Sequence, residues 1–299
     1  EYVDAILKLH NGDTISSARE TARDGWYYFF NNKIDTAMFR FNQSWLIDST
    51  YPASYFGFAA IRDYQGMKDE AERYFQLARC FRDEDPRKDR AYGEFTQLDI
   101  EMSFVTQEEI LFLAETLFTE LVGKIFPEKR ITKTPWPRIP HKIAKEKYGT
   151  DKPDLREDKN DSNELSFAWI IDFPLFAEQS TEDYFYGSGS AKFAPSHHMF
   201  AAPHSDDIPL LDSDPGKVRG LQHDMILNGF EVGGGSIRIH QPEVQNKVFD
   251  LIGFTEEQKK QFEHMLTAFT YGVPPHGGIA PGVDRFVYVA LGEPSIREV

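Results

Sequence analysis

The chain has 299 residues and a formal net charge of −15, from 33 basic and 48 acidic side chains. Apolar residues make up 40% of the chain and aromatic residues 14%, which excludes global disorder because disordered chains lack the side chains that build a core. A single cysteine, Cys80, excludes a disulfide framework and suits the reducing cytoplasm. No apolar run reaches the roughly 18 residues of a membrane span, so no membrane contact is expected. The acidic balance argues against a nonspecific grip on nucleic acid.

Three aromatic-rich segments mark the first 70 residues, at 25–30, 39–41 and 51–58. Aromatic residues are enriched in strands, so strands and packed loops are predicted there.

The next part alternates between polar and apolar residues. Arg73–Phe81 and Phe95–Phe104 both show a period of two, which is typical of strands with one face in the core. The polar segment between them predicts an antiparallel pair joined by a long charged loop. In the second strand Gln97, Asp99 and Glu101 share the polar face.

The rest of the chain mixes helices and strands. Thr106 and Glu109 form a capping box that opens a predicted helix ending near Phe126. The remaining predictions, in chain order, are a loop at 127–164, a strand at 167–176, loops at 177–217, a helical segment at 218–228, a strand at 230–240, helices at 245–253 and 255–270, and a strand followed by a helix at 277–293. The order lacks regular βαβ alternation, so the predicted fold is α+β with an antiparallel sheet flanked by helices.

Arg82 ends the first alternating strand and is followed by Asp83 and Glu84. A guanidinium fork suits phosphate or carboxylate, although a solvated hairpin tip with local ion pairs fits the same pattern. The polar face of the second strand could line a pocket or simply meet solvent.

Asp224 and Glu231 precede a run of three glycines, Gly233–Gly235, and then Arg238. Two carboxylates suit Mg²⁺, which takes few protein ligands and keeps water or phosphate oxygens. Glycines allow a ligand to approach the backbone closely. A bulged strand with a surface arginine is the alternative.

Gly282, Val283, Asp284 and Arg285 open the last predicted helix. A helix start offers free N–H groups to an anion, and Arg285 would add a full charge, although a plain capped helix fits too. His197 and His198 are a weak signal, because a metal site would need further ligands at matching spacing. The chain has no GxxxxGK[ST], GxSxG or HExxH motif, so any phosphate chemistry must use arginines, glycine-rich strands and Mg²⁺.

Together these segments resemble class II aminoacyl-tRNA synthetases and, among them, the bacterial-type aspartyl-tRNA synthetases. Residues 73–104, which contain ARCFRDEDPRKDR…EFTQLDIEMSF, resemble motif 2 of that family, and HGGIAPGVDRFVYVALGEPSIREV (276–299) resembles motif 3. Further matches, in the expected order, are YGTDKPDLR, FAWIIDFPLF, SHHMF and LNGFEVGGGSIRIH. The resemblance covers residues 71–299 as the catalytic core, and residues 1–70 form a poorly matching N-terminal part.

The resemblance implies a function and roles for single residues. It implies activation of L-aspartate with ATP to aspartyl-adenylate and transfer of the aspartyl group to the 3′ end of tRNA. Arg82 would bridge the α-phosphate and the aspartate carboxylate, and Asp83 and Glu84 would lie at the ATP site. Gln97 and Asp99 would hold the substrate ammonium, His197 would lie at the aspartate site, and Arg238 would bind the aspartate side chain. Asp224 and Glu231 would hold Mg²⁺, and Glu231 would also lie at the ATP site. The residues implied for the ATP phosphates are Gly282, Val283, Asp284 and Arg285.

Several parts of the family pattern differ in this chain. The anticodon-binding and inserted domains are expected to be absent, and motif 1, which builds the family's homodimer, is not recognisable. Ser16–Asp24 (SSARETARD) resembles the family's mobile loop, which would make Glu20 an aspartate-site candidate. Arg87, Lys88 and Arg90 would meet the acceptor end of tRNA. Two rivals remain: an aspartate-activating paralogue that makes an amide or peptide without tRNA, and a non-catalytic binding protein of synthetase origin.

Overall fold

The structure, a computed structural model, describes residues 2–47, 57, 61, 73–82, 93–179, 191–270 and 273–299. The chain divides into two units, Glu1–Arg73 and Tyr74–Val299, and each is described by itself. The assignment of residues 1–70 and 71–299 to parts of one catalytic domain stays a prediction.

The first unit contains three helices: α1 (Tyr2–Leu9), α2 (Thr14–Phe30) and α3 (Ile34–Ile47). Asp13 caps α2, because its side chain accepts hydrogen bonds from the backbone N–H groups of Ile15 and Ser16. The ring of Phe41 is fully buried between helices, where the absent side chain of Gly25 leaves room for it.

The predicted strands at 25–30 and 39–41 are therefore wrong. Small residues at helical spacing, namely Ser17, Ala18, Thr21, Ala22 and Gly25, form the buried face of α2, and this packing outweighs the strand preference of the aromatics. Ser16–Asp24, which resembles a mobile loop, also lies within α2. Apart from Gly57, the predicted strand at 51–58 lies outside the described residues.

The second unit is built on a seven-stranded sheet with the strand order β1-β2-β13-β12-β11-β6-β4. The strands of the chain are β1 (Arg73–Phe81), β2 (Glu94–Ser103), β3 (Arg130–Ile131), β4 (Arg138–Pro140), β5 (Glu164–Leu165), β6 (Phe167–Ile171), β7 (Phe173–Pro174), β8 (Phe176–Glu178), β9 (Phe193–Pro195), β10 (Arg219–Gly220), β11 (Gln222–Leu227), β12 (Phe230–Ile237) and β13 (His276–Pro281). Within this sheet β2, β13, β12, β11 and β6 pair antiparallel in succession, and the edge strand β4 is parallel to β6.

Helices α4 (Gln107–Ile125), α5 (His141–Tyr148), α6 (Leu210–Ser213), α7 (Pro242–Leu251), α8 (Glu256–Gln261), α9 (Glu263–Thr270) and α10 (Val283–Leu291) belong to this unit. The capping box of Thr106 and Glu109 is present at the start of α4, as predicted. An α+β fold with a largely antiparallel sheet is confirmed.

The predicted pair of alternating strands is also confirmed. β1 and β2 are neighbours, and contacts join Arg79 to Glu94 and Gln76 to Asp99. The earlier residue of β1 contacts the later residue of β2, so the two strands run antiparallel. The predicted charged loop, residues 83–92, lies outside the described residues.

Two predictions between these elements are wrong. Residues 218–228 contain strands β10 and β11 rather than a helix. Residues 127–164 are a loop only in part, because they include β4 and α5. The predicted loops at 177–217 likewise contain β9 and the short helix α6.

The two faces of the central strands have different roles. Ile100, Met102, Val232 and Ile279 point to the main core, where the ring of Phe118 on α4 packs edge-on against Phe286 on α10 with centroids 4.9 Å apart. The alternate positions of the same strands carry mostly polar or small residues, such as Asp99, Gly234 and Ala280. Because side chains alternate along a strand, the opposite face is left for a polar site.

Candidate active site

A cavity of about 550 Å³ lies on the polar face of the sheet in the second unit. Eight of the residues that the sequence predicted as site residues line it: Arg82, Gln97, His197, Glu231, Arg238, Gly282, Asp284 and Arg285. These residues are spread over more than 200 positions of the chain, and the antiparallel sheet brings them together.

Glycines form the floor of this cavity. A side-chain carbon on Gly235 would lie 2.0 Å from the carbonyl oxygen of Gly278, and one on Gly233 would lie 2.9 Å from Cα of Pro281. These two positions therefore need glycine for β12 to pair with β13. Gly234 instead faces the cavity. A side-chain carbon added there would lie 3.1 Å from Oδ1 of Asp224 and 3.8 Å from Oε1 of Glu231.

The carboxylates of Asp224 and Glu231 thus converge on the bare backbone of Gly234. Asp224 is 6% exposed, and its Oδ1 makes no hydrogen bond with the described residues. Burial and the negative charge of Glu231 raise the pKa of Asp224. The Asp224 carboxylate, with Oδ1 3.6 Å from Nε2 of His197, raises the pKa of that imidazole.

These two carboxylates fit a divalent cation such as Mg²⁺. A buried oxygen without a hydrogen bond and a second carboxylate oxygen face the same point, and both are hard donors. Within the described ranges, no three or more His, Cys, Asp or Glu side chains cluster closely enough to hold a metal ion. The donor set therefore suits an ion that takes its remaining ligands from water or from phosphate.

Arg238 directly follows the last residue of β12 and lines the cavity. Burial lowers the pKa of its guanidinium, and the negative charges of Glu101 and Asp99 oppose that shift. The guanidinium also contacts the imidazole of His198. Nε2 of that imidazole lies 3.4 Å from Oγ of Ser236. Burial and the charge of Arg238 lower the pKa of His198 to about 3, so this histidine is neutral. Arg238 is therefore a half-buried cation at the cavity, and Glu101 and Asp99 compensate part of its charge.

The start of α10 forms a second wall. The backbone N–H of Gly282 donates to the carbonyl of Val232 at 2.8 Å, and Arg285 donates from Nη1 to the carbonyl of Glu231 at 2.9 Å. The carboxylate of Asp284 accepts from the N–H of Thr96 at 2.8 Å, which ties the helix to β2. Val283 is the first residue of the helix. The N-terminal end of α10 and one arginine thus point at the same cavity.

Arg82 and Phe95 form the wall at the hairpin end of β1 and β2. The guanidinium carbon of Arg82 lies 5.1 Å from the ring centre of Phe95, in a cation–π arrangement. Gln97 donates from Nε2 to the carbonyl of Ala280 at 3.2 Å, and its Oε1 lies 3.1 Å from Sγ of Cys80. Asp83, Glu84, Arg87, Lys88 and Arg90 lie outside the described residues.

Glu20 belongs to the first unit and lies on α2. Its carboxylate is 2.6 Å from Nε2 of His10 and 3.4 Å from Nη2 of Arg23. Its predicted role at the aspartate site stays a prediction.

Three residues near the cavity were given no individual role by the family resemblance. Lys152 places Nζ 2.7 Å from Oε2 of Glu231, and its only signal was the segment YGTDKPDLR. His198 contacts Arg238, and its signal was its place beside His197. Glu101 faces Arg238, and burial raises the pKa of its carboxyl while Arg238 opposes the shift. Its signal was its position on the polar face of β2.

Comparisons with known proteins identify the family of the chain. Residues 66–299 match the family described as tRNA synthetases class II (D, K and N). An aspartate–tRNA(Asp/Asn) ligase of Dehalococcoides mccartyi is 33% identical to the chain over 362 aligned positions, which include 76% of this chain and 59% of that protein. The aspartate–tRNA(Asp/Asn) ligase of Rubrobacter xylanophilus is 34% identical, with 76% of this chain and 57% of that protein covered.

Solved structures show the same fold at lower identity. Aspartyl tRNA synthetase from Entamoeba histolytica superimposes with a TM-score of 0.56 at 20% identity, covering 98% of this chain and 58% of that one. Asparaginyl-tRNA synthetase from Pyrococcus horikoshii, complexed with asparaginyl-adenylate, gives 0.51 at 20% identity, covering 80% and 54%.

The largely antiparallel sheet flanked by helices is the fold of the class II synthetase structures that the chain matches. The chain belongs to the class II tRNA synthetases of the aspartate, lysine and asparagine group. It spans less than three fifths of the length of the curated relatives it matches. In the part of the chain that the structure describes, no helix has the length and apolar character needed to cross a bilayer.

Proposed function

We propose that this chain is the catalytic part of an aspartate–tRNA ligase, which activates L-aspartate with ATP and transfers it to the 3′ end of tRNA. The observation that carries the proposal is Arg238, a half-buried guanidinium that lines a cavity of about 550 Å³ beside a two-carboxylate site. A guanidinium that is partly withdrawn from water favours an anionic side chain over a neutral one, because a carboxylate is its strongest hydrogen-bond partner. Relatives named aspartate–tRNA ligase support this choice within the family.

The proposed reaction has two steps. An oxygen of the aspartate α-carboxylate attacks the α-phosphorus of ATP, and the bond to pyrophosphate breaks, so that pyrophosphate leaves with the electron pair. The terminal ribose hydroxyl of tRNA then attacks the carbonyl carbon of the adenylate, loses its proton and displaces AMP. Neither step needs a protein nucleophile, so positioning and charge stabilisation carry the catalysis.

The residues of the cavity divide this work. Arg82 would bind the α-phosphate, and Arg285 with the N-terminal end of α10 at Gly282, Val283 and Asp284 would bind the remaining phosphates. Gln97 and Asp99 would hold the substrate ammonium, and His197 would lie over the aspartate. Asp224 and Glu231 would hold Mg²⁺, which supplies positive charge to the phosphates when bound.

Partners beyond the cavity are also proposed from the family. The acceptor end of tRNA would meet Arg87, Lys88 and Arg90, and a second copy of the chain would complete a homodimer. The single cysteine and the proposed role in translation support a location in the cytoplasm.

Exchange of labelled pyrophosphate into ATP tests the first step. The wild-type protein should support exchange with L-aspartate but not with L-asparagine or L-lysine. Arg238→Leu should raise the KM for aspartate on the order of 100-fold, because the side-chain carboxylate loses its charged partner. Arg219→Leu is the matched control, since Arg219 pairs with Asp207 outside the cavity and its loss should leave that KM within about twofold.

The outcomes separate the rivals. Exchange without charging of either tRNA for aspartate or tRNA for asparagine would favour an aspartate-activating paralogue. No exchange with any amino acid would favour a non-catalytic binding protein. An unchanged KM in Arg238→Leu would refute the assigned specificity.

A further inference from the structure

Lys152 places an ammonium group on one of the two carboxylates that converge on Gly234. Its Nζ lies 2.7 Å from Oε2 of Glu231, and the two side chains are 44% and 30% exposed. The other carboxylate, Asp224, is nearly buried, and its Oδ1 makes no hydrogen bond with the described residues. The negative charge that would hold a metal ion is therefore already opposed by a cation of the protein itself.

The backbone of Lys152 is anchored beside the hairpin that carries both carboxylates. Its N–H donates to Oγ1 of Thr150 at 3.1 Å, and the guanidinium of Arg156 binds both carboxylate oxygens of Asp154 at 3.0 and 2.8 Å. Asp154 in turn packs on Gly229, where an added side-chain carbon would lie 3.3 Å from its Cβ. Gly229 is in the turn between β11 and β12, two residues before Glu231.

The side chain of Lys152 extends from this anchored backbone and is about half exposed. A lysine side chain has four rotatable carbons and keeps its ammonium in or near water, so a half-exposed lysine can turn away from its partner. An ion pair between two partly exposed side chains is weak, so the carboxylate can exchange the ammonium for a more strongly bound cation.

We propose that Lys152 is a built-in counter-cation of the Asp224–Glu231 site, which competes with a divalent metal ion for these carboxylates. A free ion must displace the ammonium and is repelled by it. An ion that arrives on the phosphates of a nucleotide brings compensating negative charge, so the ammonium can stay nearby. Metal binding is thereby coupled to nucleotide binding. This inference rests on the proposed function, because it takes the two carboxylates as the metal site.

Binding of Mn²⁺ alone, without nucleotide, tests the competition. Free Mn²⁺ is measured by electron paramagnetic resonance during titration of the wild-type protein and its variants. Lys152→Met keeps the chain length and removes the charge, so the Kd for Mn²⁺ should fall on the order of tenfold. Lys152→Arg keeps the charge and should retain the wild-type Kd within about twofold.

Lys145→Met is the matched control. Lys145 is 47% exposed and pairs with Asp151 at 3.1 Å, so the variant also removes a half-exposed ammonium from an ion pair, but not one at Glu231. The Kd for Mn²⁺ should stay within about twofold of the wild-type value. A tenfold change in both lysine variants would mean a general effect of net charge and would overturn the proposal.

Glu231→Gln separates this inference from the function on which it rests. In the Lys152→Met background the second substitution should remove the gain in Mn²⁺ affinity. If Lys152→Met binds Mn²⁺ as the wild type does while Glu231→Gln weakens binding, the metal site stands and the competition is refuted. If Glu231→Gln leaves binding unchanged in both backgrounds, the assignment of the metal site is itself wrong, and the competition falls with it.

Discussion

Replacement of Gly234 by alanine should block the site while preserving the fold. The added methyl carbon would lie 3.1 Å from Oδ1 of Asp224 and 3.8 Å from Oε1 of Glu231, and the residue needs no left-handed backbone. The side chain of Asp224 can shift by a few tenths of an ångström, so the free energy of unfolding should change by less than about 1 kcal/mol. Aspartate-dependent pyrophosphate exchange should fall at least about tenfold, because the methyl group displaces the carboxylates and fills the floor of the cavity.

Two further glycine substitutions provide reference points for this prediction. In Gly235→Ala the methyl carbon would lie 2.0 Å from the carbonyl oxygen of Gly278, so β12 and β13 must separate, and we expect a loss of about 3 kcal/mol or failure to fold. Gly123 lies in helix α4 with nothing within 4 Å of the added carbon. Gly123→Ala should therefore stabilise the protein by about 0.5–1 kcal/mol and leave exchange unchanged.

Urea unfolding followed by circular dichroism gives the stabilities, and the exchange assay gives the activities. Pyrophosphate exchange at the wild-type rate in Gly234→Ala would refute the proposal that the reacting phosphates lie over Gly234. Equal stability of Gly235→Ala and Gly123→Ala would refute the close pairing of β12 with β13.

Two further predictions concern buried polar groups. The pKa of His198 is lowered to about 3 from an ordinary value of 6.5, so between these values the unfolded chain binds a proton that the folded protein excludes. This group's contribution to stability is complete above about pH 6.5, and it falls by up to about 1.4 kcal/mol per pH unit below that. Urea unfolding between about pH 7 and 5 should show a shallower slope in His198→Gln than in the wild type, and equal slopes would contradict the assignment. Glu115 is 6% exposed and accepts hydrogen bonds from the N–H of Trp136 at 2.9 Å and from Arg138 at 2.8 Å. Glu115→Ala should cost about 3 kcal/mol in the same unfolding assay with the aspartate KM unchanged, whereas a cost below about 1 kcal/mol would show that these bonds are dispensable.

Local signals predicted the strands and helices whose neighbours are local. The alternation of β1 and β2, the capping box of α4 and the glycine that ends α10 all act within a few residues, so they can be read from the chain. The strand β11 gave no such signal, because all six of its residues are buried and a strand buried on both faces loses its alternation. Its spacing of Val218, Leu221 and Met225 imitated a helix.

The site shows the same division. Arg82, Arg238 and Arg285 belong to motifs that can be recognised one by one, and the structure places all three at one cavity. Glu101, Lys152 and His198 act through contacts between distant segments, such as the 2.7 Å pair of Lys152 with Glu231. Such contacts depend on the strand register, in which Asp224 lies opposite Gly234. No spacing within one segment encodes that register.

Formation of aspartyl-adenylate in a single turnover is the most direct measurement of the proposed activation of aspartate by ATP. The protein is mixed with equimolar ATP, Mg²⁺ and L-aspartate without tRNA, and the bound products are quantified by mass spectrometry. We expect aspartyl-adenylate in proportion to protein, none with L-asparagine, and a strongly reduced yield in Arg238→Leu. Absence of adenylate with L-aspartate, or equal yield with L-asparagine, would contradict it.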